Sequence, residues 1–214
     1  MRTQILLGTT NPAKAHIVRA ALAPLPVEIL TPADLNVQVD VREDGQSTAE
    51  NAEKKARAYF AKVGLPALAI DGGLHIEGLP EEEQPGVFVR RIHGREQDAT
   101  DAEVLDHYAQ ELARIGGEAT GIWQGSIVLV VSDEQVYAGT FTYTTALTSR
   151  KRGCPTPGAP LDALTVDPAT GRYFSEMAWR ERPDAGWVFQ FMSQHMARLP
   201  GQLGVARTLS REGG

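Results

Sequence analysis

The chain alternates short apolar runs with stretches in which apolar residues recur every three or four positions, the signatures of strands and of one-faced helices. Residues 4–8 predict a first strand, and residues 13–23 a helix with Ile17, Val18, Ala21 and Leu22 inward. Pro12 suits a first helical turn and Asn11 the cap before it. A second short strand is predicted at 27–30, and the polar, acidic residues 36–46 read as a surface connection. Thr48 then opens a helix as its N-cap, with Glu50 in the first turn, where the helix dipole favours negative charge. Ala52, Ala56, Tyr59, Phe60 and Val63 make its apolar face, while Asn51 and Lys55, four apart, share another. Gly64 and Pro66 end it.

Residues 67–70 form a continuous apolar run, as in a strand covered on both sides. Asp71 is expected at the carboxyl end of that strand, where open α/β sheets hold their ligands. Gly72 and Gly73 would let backbone amides approach a ligand closely. Further on, residues 75–79 predict a short alternating strand, 80–84 an exposed acidic stretch, and 85–91 a turn and an extended piece ending in Arg90 and Arg91. Residues 94–100 read as a loop. Residues 101–115 predict a helix with Val104, Leu105, Tyr108, Leu112 and Ile115 inward; Thr100 and Glu103 form a capping-box pattern at its start. Residues 121–131 and 135–147 predict a hairpin turning at 132–134. Residues 149–160 read as an irregular loop, 161–166 as a strand, and 175–180 and 188–199 as helices. The last dozen residues, with Arg207 and Arg211, read as a loosely held tail. This mixture predicts an α/β fold around a mixed sheet.

With 214 residues the chain suffices for one large domain or two small lobes sharing a core. No apolar run approaches the roughly 20 residues that span a bilayer. The N-terminal apolar run is too short for a signal peptide, so a cytoplasmic protein without membrane partners is expected. Cys154 is the only cysteine and has no internal partner for a disulfide. A net charge of −6 argues against gripping nucleic acid with the whole surface. It leaves room for a small anionic ligand held by a few well-placed lysines.

Two stretches carry candidate chemistry. Thr9-Thr10-Asn11-Pro12-Ala13-Lys14 joins a strand to a helix start whose amides, with Lys14, suit an anion; the glycine spacing of a P-loop is absent. Asp71, followed by glycines, suits holding a hard cation or accepting a proton from water. Each feature alone also fits a plain cap, a turn or a helix-start charge. Their combination carries the information.

In order, Thr9-x-Asn11-x-x-Lys14, Glu50-Asn51-Ala52-x-x-Lys55-Ala56, Gly64-Leu65-Pro66-Ala67, Asp71-x-Gly73-Leu74, Pro85-Gly86-Val87 and Arg91 resemble the inosine triphosphate pyrophosphatase family. The resemblance implies an elongated mixed sheet flanked by helices, with two lobes in one unit spanning residues 1–214, a nucleotide in the cleft between them, and a homodimer. It implies Mg²⁺-dependent hydrolysis of non-standard purine nucleoside triphosphates to a monophosphate and pyrophosphate. Thr9, Thr10, Asn11 and Lys14 would then cradle the triphosphate and Lys55 neutralise it. Glu50 and Asp71 would hold the metal, with Asp71 as the base activating water. Asn51, Gly72, Gly73, Arg91, Asp162 and His195 complete the implied substrate contacts. A nucleotide-binding protein that kept the fold without the chemistry is the alternative.

The chain departs from the family in places. Ile70 stands where the family has a first acid. The family's base-stacking Gly-Phe-Gly-Tyr-Asp-Pro loop is reduced to Gly158-Ala159-Pro160-Leu161-Asp162. Ser175-Glu176-Met177 resembles the segment before the family's late lysine, but no lysine follows Lys151. The family's Ser-His-Arg has only Ser193-Gln194-His195 as a counterpart. The phosphate half is therefore expected to be kept and the base-reading half rebuilt, with Trp123, Trp179, Trp187, Tyr173 or Phe189 as candidate replacement rings.

Overall fold

The computed structural model describes residues 2–92 and 97–200. The C-terminal tail and part of the 94–100 loop lie outside them. β1 (Thr3–Leu7), β2 (Val27–Leu30), β3 (Ala67–Ile76), β4 (Glu118–Val130), β5 (Val136–Thr148) and β6 (Thr165–Val166) form one sheet in the order β2-β1-β3-β4-β5-β6. β1 runs parallel to β2 and β3, and the remaining pairs are antiparallel. The helices are α1 (Pro12–Leu22), α2 (Thr48–Val63), α3 (Asp101–Arg114) and α4 (Pro183–His195).

Strand parity decides which helix covers which face, because successive side chains point to opposite sides. Ile5, Leu7, Leu68, Ile70, Ile127 and Leu129 pack under α1 and α4, against Val18, Leu22, Val188 and Met192. The alternate set, Leu6, Ala67, Ala69, Val128 and Val130, packs under α2 against Ala52, Ala56 and Tyr59. Farther along β3, Leu74 and Ile76 return to the first face and meet Val104, Tyr108 and Leu112 of α3. That face therefore carries two separate apolar clusters, with a gap between them.

The helix ends follow from local chemistry. Asn11 caps α1, accepting from the amides of Ala13 and Lys14, with Pro12 as the first helical residue. Thr100 and Glu103 form a reciprocal capping box on α3. Gly64 closes α2 in the left-handed conformation (φ 75°). At the start of α2 the expected cap is displaced by one residue. Ser47 accepts from the Glu50 amide, and Thr48 instead turns inward, 2.7 Å from the Ser126 hydroxyl.

Other expectations change with tertiary context. The strand expected to end at residue 70 continues to Ile76, because β4 pairs with β3 along its whole length. Residues 87–90 turn rather than extend; only Gly86 bridges to the sheet, opposite Leu74. The strand expected at 161–166 is a 3₁₀ turn, Pro160–Ala163, followed by the two residues of β6. Residues 175–180 contribute two 3₁₀ turns, and the last helix begins at Pro183 rather than residue 188.

Candidate active site

β1 stops at Leu7 and pairs with β3 only through Ala67 and Leu68. Between Leu68 and Leu74, where Gly86 bridges, the edge of β3 facing β1 is open, and Asp71 stands on that stretch in mid-strand, not at its end. By parity Asp71 follows Ala69 onto the α2 face. There Asn51 and Lys55, one turn apart on α2, point at it. Lys55 Nζ donates to Asp71 Oδ1 at 2.7 Å and Asn51 Nδ2 to Oδ2 at 3.4 Å. These two α2 residues are buried, so the inward face of the helix is polar at its N-terminal half and apolar beyond. Lys14 reaches across from α1, donating to the Ile70 carbonyl at 3.2 Å, with its Nζ 3.6 Å from Asp71 Oδ1.

The polar connection before α2 supplies the fourth partner. Glu43 Oε2 accepts from Lys55 Nζ at 3.0 Å, so one buried ammonium joins Glu43 to Asp71. Gly45 fixes this segment: its amide donates to Asn51 Oδ1 at 2.8 Å, and a Cβ there would stand 2.6 Å from that oxygen. Val39 and Val41 pack inward beneath the same segment. The connection expected to be mere surface therefore forms one wall of the site.

These groups open on a cleft of about 820 Å³ bordered also by Thr9, Thr10, Asn11, Gly72, Arg90 and Arg91. Arg91 stacks over Phe88 at 4.7 Å and donates to the Glu43 carbonyl at 2.7 Å. Confinement in the cleft and repulsion from Lys55 push the Lys14 ammonium below its ordinary pKa, against the pull of Asp71 and Glu43. A further anion in the cleft would relieve both effects. The cations lining the cleft suit an anionic ligand.

Not every expected residue belongs to it. Glu50 is exposed, accepts from the Gln46 amide at 2.8 Å and does not border the cleft; Glu43 stands where Glu50 was expected. Gly73 is glycine for the protein's own backbone: a Cβ would lie 2.8 Å from the Gly86 carbonyl, while at Gly72 the nearest atom is 4.0 Å away. The first amides of α1 are taken by Asn11, so side-chain cations rather than a bare helix start face the cleft. Asp162 is buried in a fork with Arg182, at 2.7 and 3.1 Å. His195 sits on α4 against Phe191 and Tyr137, its Nδ1 2.8 Å from the Phe191 carbonyl, and borders no part of the cleft. Sequence reasoning missed Glu43 and Arg90, which also border the cleft. For Glu43 a signal existed: the alternation Val39, Val41, Glu43 matches a segment with one side turned inward.

Fold and cleft together define an α/β protein with a cation-lined anion site beside a buried carboxylate. The sequence model of the Ham1 family matches residues 5–181, and the chain belongs to that family. A dITP/XTP pyrophosphatase from Thermus thermophilus is 34% identical over 183 residues, covering 84% of this chain and 83% of that protein. The structure of a HAM1 protein from Coxiella burnetii aligns with a TM-score of 0.72 at 25% identity, covering 92% of this chain and 99% of that one. The Staphylococcus aureus Ham1 protein shares the fold at 16% identity and a TM-score of 0.66.

Proposed function

We propose that this chain hydrolyses non-standard purine nucleoside triphosphates to the nucleoside monophosphate and pyrophosphate, clearing them from the nucleotide pool. The observation that carries the reading is Asp71, 4% exposed, held by Lys55, Asn51 and Lys14 at the open edge of the central strand. Lys14, Lys55, Arg90 and Arg91 supply the positive charge a triphosphate needs, in a cleft large enough to hold it. Thr9, Thr10 and Asn11 line the phosphate side. Asp71 accepts a proton from the water that attacks the anhydride between the α- and β-phosphates; that bond breaks and pyrophosphate leaves.

The carboxylates of Asp71 and Glu43 suit a hard divalent cation, since they already share one cationic centre, the Lys55 ammonium. Mg²⁺ held by Asp71 and Glu43 would supply charge neutralisation to the phosphates. The two apolar clusters on one sheet face support a single unit with two lobes. Among the described residues no helix is long and apolar enough to cross a membrane. A cytoplasmic homodimer completes the reading, and sedimentation at working concentration tests the dimer.

The test is pyrophosphate release from ITP, XTP, dUTP and the four standard triphosphates, with and without Mg²⁺. Asp71→Asn should lower kcat about 10²–10⁴-fold with the fold intact, the contribution of a positioned proton acceptor. Normal turnover by that variant would remove Asp71 as the base. Tight binding without release by the wild type would make the protein a nucleotide binder.

A further inference from the structure

Asp101 is the first residue of α3 and borders the cleft, where its charge alone would repel a polyanion. An acid in a first helical turn is ordinarily explained by the helix dipole, but Thr100 and Glu103 already cap α3. The Asp101 carboxylate is engaged elsewhere. Its Oδ1 accepts from Arg90 Nη2 and its Oδ2 from the Gly158 amide, both at 2.7 Å. The Gly158 carbonyl accepts from Asn11 Nδ2 at 2.9 Å, and Asn11 Oδ1 takes the amides of Ala13 and Lys14. One unbroken series of hydrogen bonds therefore runs from Arg90 to the start of α1.

This series joins the two apolar clusters, since α1 packs in one and α3 in the other. Gly158 bonds to the N-terminus of each, at a position that suits only glycine: its φ is 87°, and a Cβ would lie 2.4 Å from Asn11 Oδ1. Asn11, Arg90 and Gly158 also border a second cavity of about 220 Å³, lined by Trp123, Phe141 and Tyr143, so the series stands where the two spaces meet. The backbone around Arg90 is fixed: its carbonyl accepts the Ala99 amide at 2.8 Å, and the Val89 carbonyl the Tyr108 hydroxyl at 3.0 Å. Its side chain also donates to the Ala99 carbonyl at 2.9 Å. Both side-chain bonds use Nη2, so a ligand oxygen can take another N–H of the same guanidinium. Burial pushes the Asp101 carboxyl up, but the Gly158 amide and Arg90 outweigh it and hold the group below its ordinary 3.8. Arg91, by contrast, is tied to the opposite wall through the Glu43 carbonyl.

We propose that Asp101 is a positioning residue for the triphosphate: it holds Arg90 toward the phosphates and, through Gly158, holds Asn11 and Lys14 to the same ligand. The inference rests on the nucleotide reading of the cleft. Asp101 touches no phosphate and acts through groups that do. Its charge opposes the ligand, and the gain from a guanidinium and a helix start fixed in advance outweighs that repulsion. The sign separates the two effects. A carboxylate acting only by its charge weakens polyanion binding, so neutralising it strengthens the binding; neutralising a positioning carboxylate weakens it. Asparagine has nearly the same shape but presents one acceptor and one donor group, so it can serve Arg90 or Gly158 but not both.

The test is calorimetric titration of inorganic tripolyphosphate into the full chain, so neither the base nor turnover enters. Asp101→Asn should bind it about tenfold more weakly than the wild type, although the variant carries one negative charge fewer; the scale is that of one charge-assisted hydrogen bond. Arg90→Ala should weaken binding at least as much. The double variant should lose less than the product of the two single losses, because Asp101 acts largely through Arg90. Gly158→Ala changes no charge, parts Gly158 from Asn11, and should weaken binding too. A merely structural defect lowers the active fraction, and hence the apparent kcat, but leaves KM alone. In Asp101→Asn the KM for the best triphosphate of the panel should rise. Equal or tighter tripolyphosphate binding by Asp101→Asn, or single losses that multiply in the double variant, overturns the proposal and leaves the nucleotide reading standing. If Asp101→Asn does not fold, unchanged binding by Gly158→Ala overturns it instead. A wild type that binds neither tripolyphosphate nor any triphosphate overturns the nucleotide reading and the proposal with it.

Discussion

Lys55 joins Asp71 to Glu43, and its replacement by methionine separates the stabilising and functional parts of the cleft. The lysine and Asp71 side chains are each 6% exposed and 2.7 Å apart, so Lys55→Met leaves a buried carboxylate without its main partner. Removing one member of such a pair costs about 3–5 kcal/mol. The Glu43 contact adds little, since that side chain is 42% exposed and solvent screens it. Lys14, 3.6 Å from the same oxygen, offsets part of the loss, which points to the lower end, about 3 kcal/mol. For a chain of this size each kcal/mol moves the midpoint about 2–4 °C, so thermal unfolding in EDTA should begin about 6–12 °C lower. The carboxylates, freed of the lysine, then depend on an added cation. A divalent ion at about 100 times its Kd returns about 2.7 kcal/mol, so Mg²⁺ should rescue the variant far more than it stabilises the wild type. Unfolding at the wild-type temperature would refute the buried pair. A destabilised variant indifferent to Mg²⁺ would refute Asp71 and Glu43 as a cation site.

Three further contrasts follow from the packing. Gly73→Ala drives a Cβ to within 2.8 Å of the Gly86 carbonyl and should cost about 1–3 kcal/mol, whereas Gly72→Ala meets open space and should unfold like the wild type; urea titrations of the pair decide it. Thr48→Val strands the buried Ser126 hydroxyl and should cost about 1–3 kcal/mol, against about 1 kcal/mol for the lost cap in Ser47→Ala; the reverse order would restore Thr48 as the cap. Asp184 titrates above its ordinary value of 3.8, first because of burial. A proton bound more tightly in the folded state gives stability that is lost as the pH rises from 3.8 to the raised value. Asp184→Asn should therefore gain stability relative to the wild type as the pH is taken from about 4 to about 8, and a constant difference would sink the argument.

What was legible in the sequence was whatever local chemistry decides. Asn11 and Pro12, the Thr100–Glu103 box, Gly64 and the 132–134 hairpin each act within a few residues, and each stands where the pattern set it. The misreadings share one cause, a partner distant in sequence. Thr48 left the cap for Ser126, 78 residues on. β3 ran past Asp71 because β4, some 55 residues later, continues to pair with it. The alternation Val39, Val41, Glu43 showed which side of the segment turns inward, but only the folded chain brings Glu43 to Lys55.

The same distinction explains why the two halves of the site were unequally readable. The cation-lined cleft is built from α1, the start of α2 and one edge of β3, short segments whose residues keep fixed spacings and so leave a motif. The second cavity takes Ile70 and Gly72 from β3, Trp123 from β4, Tyr143 from β5, and Arg182 with Asp184 from the start of α4. No spacing along the chain relates these residues; strand parity and register do, by placing them on one face between two apolar clusters. A phosphate tolerates any arrangement of cations, whereas a base edge is read by the order of donors and acceptors.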